Sequence, residues 1–152
     1  MSWEQSRVGP NPTSGTMSYH RILALNPDKN LQAYIIGLAI GDGNLSKVRN
    51  TTRLRISCDD KYPKLIGRIT KSLNMLLLQN KVGAVKRPGN CTDVYVYSNH
   101  LENLLGWEAE DGPKDIQKVS IPSWITKRRD YKINCIKGLI KTDGAIYYRS
   151  RL

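Results

Sequence analysis

Tyr34-Ile35-Ile36-Gly37-Leu38-Ala39-Ile40-Gly41-Asp42-Gly43 returns in altered form as Asn134-Cys135-Ile136-Lys137-Gly138-Leu139-Ile140-Lys141-Thr142-Asp143-Gly144. Both copies contain Gly-Leu-x-x-x-Asp-Gly, and their aspartates stand 143 − 42 = 101 residues apart. That spacing is about one small domain, so the repeat marks two equivalent ends of one body that meet in space.

Tyr34, Ile35, Leu38 and Ala39, with Ile36 and Ile40 beside them, keep a helical period and leave little polar surface, the pattern of a buried helix. Gly37 and Gly41 fall four apart on one face, and Gly138 and Thr142 take the same places in the second copy. Each helix thus carries an edge of small residues along which two backbones can approach closely. Close packing offsets the roughly 1 kcal/mol that glycine costs inside a helix. Asp42 and Asp143 are predicted to close their helices, each followed by the glycine favoured at a helix C-terminus. Side-by-side packing would bring two carboxylates together at the negative ends of two helix dipoles. A divalent cation relieves both repulsions, and hard oxygen ligands suit Mg²⁺.

At this point the chain resembles the LAGLIDADG homing endonucleases. The nine-residue family motif maps onto Ile35 to Gly43 and Ile136 to Gly144, with the metal-binding acid at Asp42 and Asp143. Ile40 and Lys141 stand where the motif has an earlier acid that does not bind the metal. Ser120-Ile121-Pro122-Ser123-Trp124-Ile125 is similar to the Ile-Pro-x-Trp-Ile stretch that often precedes the family's second motif helix.

Composition points the same way. The 152 residues make one domain by length, large enough for a real core. A net charge of +11 and a pI near 9.7 imply a polyanionic partner, nucleic acid ahead of an acidic membrane surface. Cys58, Cys91 and Cys135 show no C-x-x-C spacing and an odd count, which fits a reducing, intracellular compartment, cytoplasmic or organellar, and neither a disulfide framework nor a zinc site. The longest apolar run, Tyr34 to Ile40, is far too short to span a membrane, and no signal-peptide core is visible at the start.

Residues 1–28 are expected to be a flexible tail rich in Ser, Gly and Pro, 29–130 a LAGLIDADG-type domain, and 131–152 a second motif helix. After Gly43, Asn44–Arg49 and Thr52–Cys58 resemble a hairpin joined by Asn50-Thr51, with a bulge allowed in the first strand. The second strand alternates Arg53, Arg55 and Ser57 against Leu54, Ile56 and Cys58. Asp59 and Asp60 supply N-cap residues for a helix over about 61–78 that turns Leu65, Ile69, Leu73 and Leu76 to the core. Lys81–Arg87 and Thr92–Tyr97 form a second hairpin around Pro88-Gly89-Asn90. Val94 and Val96 face one way, and Asp93, Tyr95 and Tyr97 the other. A short helix follows over 100–105, then a polar acidic loop over 106–113, and the second motif helix starts near Asp130 or Tyr131.

This order is the αββαββα layout of one α+β LAGLIDADG domain, whose four-stranded antiparallel sheet is, by family resemblance, a saddle in the DNA major groove. The resemblance implies an enzyme that cuts a long double-stranded DNA site by Mg²⁺-dependent phosphodiester hydrolysis. Asp42 and Asp143 would hold the metal, and Lys127 is the candidate basic residue near the attacking water. Arg53, Arg55, Ser57, Lys86, Arg87, Tyr95 and Tyr97 are the candidate DNA contacts. A family enzyme in one chain has a second αββαββα body, so the expected partner besides DNA is a second LAGLIDADG half, as a separate chain or a further domain. The alternatives within the same scaffold are an RNA-binding intron maturase and a non-catalytic DNA-binding protein.

Overall fold

The computed structural model describes residues 28–110, 114 and 116–151, with 142–151 as backbone only. The expected tail lies outside the described residues, apart from Asp28. Asp28 opens helix α1 (Lys29–Asp42), its carboxylate accepting the N–H groups of Asn30 at 2.9 Å and Leu31 at 3.3 Å. Such a cap satisfies donors that the first helical turn leaves without partners. Ala33, Ile35, Ile36, Leu38 and Ala39 of α1 are almost fully buried, as an apolar helix with no polar face requires.

Hairpin β1 (Gly43–Val48) and β2 (Thr51–Asp59) follows α1 directly. Its register is one to one from Gly43↔Ile56 to Val48↔Thr51, so the turn is Arg49-Asn50 and the allowed bulge is absent. Helix α2 (Pro63–Leu76) crosses to β3 (Val82–Arg87) and β4 (Cys91–Tyr97), whose three-residue turn places Gly89 and Asn90 at positive φ. The sheet order is β1-β2-β4-β3, antiparallel throughout. Leu45, Leu54, Ile56, Val94 and Val96 point from it into a core completed by α1, α2 and the short helix α3 (Leu101–Leu105). The other face of the sheet is uncovered among the described residues, which gives the alternation expected of a one-sided antiparallel sheet.

Two expectations are corrected here. The N-cap of α2 is Tyr62, without a side-chain bond, and Asp59 instead accepts the N–H of Lys61. Asp60 ties the second hairpin to the end of β2, accepting from Thr92 Oγ1 at 2.5 Å and pairing with Lys86. The loop after α3 is also less polar in place than in composition. Trp107 and Ala109 are buried because Glu102 accepts the Ala109 N–H at 2.8 Å and folds the chain back.

Helix α4 (Ser123–Thr126) sinks Ile125 into the core and stands Trp124 edge-on to Tyr131 at 5.3 Å, with Lys29 Nζ 4.5 Å from the indole centre. Trp124 thereby joins the start of α1 to the start of α5 (Arg129–Arg151). The two long helices pack lengthwise with their N-termini together. Asn30 donates to Asp130 at 3.3 Å and accepts from Asn134 at 3.0 Å. At the crossing, a Cβ on Gly37 would lie 2.0 Å from the Cys135 carbonyl oxygen, and one on Gly138 would lie 2.1 Å from that of Tyr34. No helix among the described residues is long and apolar enough to cross a membrane.

Candidate nucleic-acid interface and cation site

The register sorts the uncovered face into transverse rows. Ser46, Arg53 and Tyr97 form one, and Asn44, Arg55, Tyr95 and Gly83 the next. Then come Ser57, Asp93 and Val85, followed by Asp59, Cys91 and Arg87. Six of the seven candidate contacts therefore share this face. Lys86 is the exception: strand alternation turns it to the other side, where it pairs with Asp60. The hydrogen bond from Lys86, then that from Thr92, holds the Asp60 carboxyl below the ordinary carboxylate value.

Polar contacts within the rows hold the side chains. Arg53 Nη2 lies 3.3 Å from Ser46 Oγ, and Ser57 Oγ donates to Asp93 Oδ1 at 2.8 Å. Arg55 and Arg87 both reach Asp93 Oδ2, at 3.7 and 3.4 Å. The Tyr95 ring lies across Gly83, where a Cβ would stand 2.4 Å from the ring, and meets Tyr97 edge-on at 5.9 Å. Glycine inside a strand signals such a close approach, and Gly83 is the sequence cue for this one. In sequence Asp93 is only an alternating residue, because its partnership with Arg55 and Arg87 depends on a register between strands distant in sequence.

Asp42 is exposed at the junction of α1 and β1, beside the end of these rows. Gly43 follows in extended conformation (φ −87°), not in the left-handed form expected of a helix-terminating glycine. It is required sterically: a Cβ there would meet the Ala39 Cα at 2.5 Å. The chain thus passes from helix to strand without a loop. The last carbonyls of α1 face a cation, since Lys114 Nζ donates to Ile40 O at 2.5 Å and Gly41 O at 2.7 Å. An ammonium there satisfies acceptors the helix leaves over and matches the negative end of its dipole. Lys114 sits in a loop without periodicity, so no sequence pattern marked it.

Lys127 lies elsewhere. It ends α4, its N–H directed at Trp124 O, next to the start of α1. A helix of 14 residues separates that end from Asp42 by about 20 Å. The residue near the Asp42 end is therefore Lys114 and not Lys127. The side chains of Thr142 and Asp143 lie outside those described. The helix carrying them runs on to Arg151 instead of closing at Asp143, since a lone glycine costs a helix only about 1 kcal/mol. No strand among the described residues draws the chain aside there as β1 does after Asp42. Among the described residues, no three His, Cys, Asp or Glu side chains converge as a metal cluster.

The architecture is similar to that of solved structures, among them two I-DmoI structures. One is a mesophilic variant of the homing endonuclease I-DmoI, 18% identical, with a TM-score of 0.55 over 76% of this chain and 58% of that one. The other is a mutant I-DmoI in complex with its target DNA, nicked in the coding strand, in the presence of Mn, 19% identical with a TM-score of 0.53 over 75% of this chain and 61% of that one. The fold is of the LAGLIDADG type. The chain spans about 60% of the length of the I-DmoI chains it matches. No protein-family model matches the sequence, and no curated protein matches it. At these identities the likeness is one of fold.

Proposed function

We propose that the chain is one half of a site-specific, divalent-metal-dependent DNA endonuclease. The observation that carries this reading is the placement of Asp42 at the loop-free junction between α1 and an uncovered sheet face bearing Arg53, Arg55, Arg87, Tyr95 and Tyr97. The face binds duplex DNA, its guanidinium groups reaching base edges or phosphates. The excess of positive charge makes association steeply salt-dependent.

The residues at the end of α1 fit Mg²⁺ by donor type. Asp42 offers a carboxylate, and the neighbouring backbone carbonyls already accept one cation, the Lys114 ammonium. Asp143 would supply the second carboxylate. Bound there, Mg²⁺ would supply Lewis-acid stabilisation of charge on a phosphodiester and a more acidic water. Lys114 takes the place of the basic residue, holding positive charge beside the scissile phosphate.

A specific surface supports the half-enzyme reading. Ile133, Ile136 and Ile140 of α5 are 41–54% exposed. Shifted back by the repeat spacing, they correspond to Gln32, Ile35 and Ala39, which α1 buries. A second αββαββα body would cover this stripe as the first covers α1.

The test is selection of duplexes from a randomised library in Ca²⁺, followed by exchange into Mg²⁺. Enrichment of a defined sequence that is then cut or nicked supports the reading, and footprint length separates one sheet from two. Failure to enrich any duplex at low salt, with binding to a structured RNA, would transfer the face to a maturase-like role.

A further inference from the structure

We propose that Asp93 is a specificity-determining positioning residue, which fixes the directions of Arg55 and Arg87 so that each reads a base edge. The inference rests on the DNA-binding reading above and deepens it. An acid on a face meant for a polyanion is otherwise out of place, since it repels phosphate. Asp93 is not a surface acid, however: its side chain is 4% exposed in the middle of the face. Its Oδ1 takes the Ser57 hydroxyl at 2.8 Å. Its Oδ2 faces two guanidinium groups, Arg55 through Nε at 3.7 Å and Arg87 through Nη1 at 3.4 Å.

This arrangement has a chemical consequence. Arg55 turns its Nε toward the carboxylate at ion-pair distance, which directs its two terminal nitrogens toward a partner beyond the sheet. A guanidinium edge held in one direction suits the paired O6 and N7 acceptors of guanine, whereas an untethered arginine can follow the nearest phosphate. One buried charge thus serves two readers, because Arg55 and Arg87 flank Asp93 from different rows. Arg53 supplies an internal reference. It is held by Ser46 and not by Asp93.

The experiment compares duplexes selected in Ca²⁺ by wild type and by Asp93→Asn, which keeps the shape and removes the charge. Arg53→Ala, Arg55→Ala and Arg87→Ala first assign each base preference to its reader. In Asp93→Asn, preference at the Arg55 and Arg87 positions should fall about tenfold, the scale of a lost bidentate contact, while the Arg53 position keeps its preference. Affinity for random duplex should rise, with the log–log salt slope steeper by about one as a freed arginine takes a phosphate.

An unchanged consensus overturns the inference, and so does an equal flattening of every position. Should Asp93→Asn fail to fold, Ser57→Ala keeps the acid but frees Oδ1, and a smaller loss is expected at the Arg55 and Arg87 positions, beside any base that Ser57 itself contacts, with the Arg53 position again unchanged. A wild-type chain that enriches no duplex sinks the DNA reading and this inference with it. Wild-type enrichment with an unaltered Asp93→Asn profile sinks this inference alone.

Discussion

Gly37 and Gly138 exchange contacts across the crossing of α1 and α5: each lies against the backbone of the other helix, at Cys135 and Leu139 in one direction and at Tyr34 and Leu38 in the other. These partners are also related by the repeat spacing, so the crossing has local two-fold character. A methyl group at either glycine would fall about 2 Å from a carbonyl oxygen. Gly37→Ala or Gly138→Ala should therefore destabilise the chain by about 1–3 kcal/mol, the usual cost of overpacking. Gly67, in α2 with nothing within 4 Å of its added Cβ, is the control. Gly67→Ala should stabilise by up to about 1 kcal/mol. Urea unfolding of the three variants checks both signs.

Asp42→Asn should leave duplex affinity within a few-fold of wild type and reduce cutting to background. Gel shift in Ca²⁺ and a nicking assay in Mg²⁺ separate the two effects. Loss of binding with loss of cutting would instead mean that the carboxylate organises the end of the sheet.

Lys114→Met removes the ammonium that satisfies the Ile40 and Gly41 carbonyls. A charge at a helix C-terminus contributes about 0.3–1 kcal/mol when exposed and up to about 2 kcal/mol when partly buried. We expect a loss in that range by chemical denaturation. Lys127→Met, at the exposed end of α4, should change stability by less than about 0.5 kcal/mol.

Burial, followed by the neighbouring Cys91 and then the carboxylates of Asp42, Asp93 and Asp60, pushes the Cys58 thiol up to about 12. Only its thiolate is nucleophilic. Iodoacetamide at pH 8 should therefore spare Cys58 in the native chain and modify the half-exposed Cys91 first. Cys91 shares the uncovered face with Asp59 and Arg87, so bound duplex should protect it. Peptide mass mapping with and without DNA reads both outcomes.

The hydrogen bond from Lys47, then the Ala109 N–H, holds the Glu102 carboxyl below its ordinary value of 4.5. A carboxylate depressed by folding contributes stability above its unfolded pKa and loses it as pH falls through the folded one. Wild type should thus be more stable than Glu102→Gln at pH 7, with the difference shrinking as pH drops below 4.5. A constant gap across that range would remove the proton-linked role from Glu102. Thermal unfolding at a series of pH values makes the comparison.

The elements were legible because each carries a local period. Leu54, Ile56 and Cys58 alternate with Arg53, Arg55 and Ser57, and the repeat around Gly37 and Gly138 announced a helix pair. What stayed hidden depends on partners remote in sequence. Nothing near Asp93 specifies that β4 lies beside β2 in the register that places Arg55 and Arg87 on its carboxylate. The role of Asp60 was misread for the same reason, since local capping chemistry competes with a clasp 26 residues away at Lys86. Lys114 lies outside any periodic segment, and nothing in its neighbours along the chain points to the Ile40 and Gly41 carbonyls 74 and 73 residues away. Lys127 is near the second motif helix in sequence, but the parallel packing of the helices puts that neighbourhood at the end opposite Asp42.

The Gly37–Gly138 crossing also sets an order of events as the chain is made. Both hairpins close over short spans and can pair early, whereas the contact that covers α1 waits for a segment about a hundred residues further on. Contacts so distant are slow to form, and apolar surface left open in the meantime invites association with other chains. From synthesis of Ala39 until the ribosome releases Gly138, the most apolar of the described helices is only partly covered, and that interval is its period of greatest exposure to misassembly.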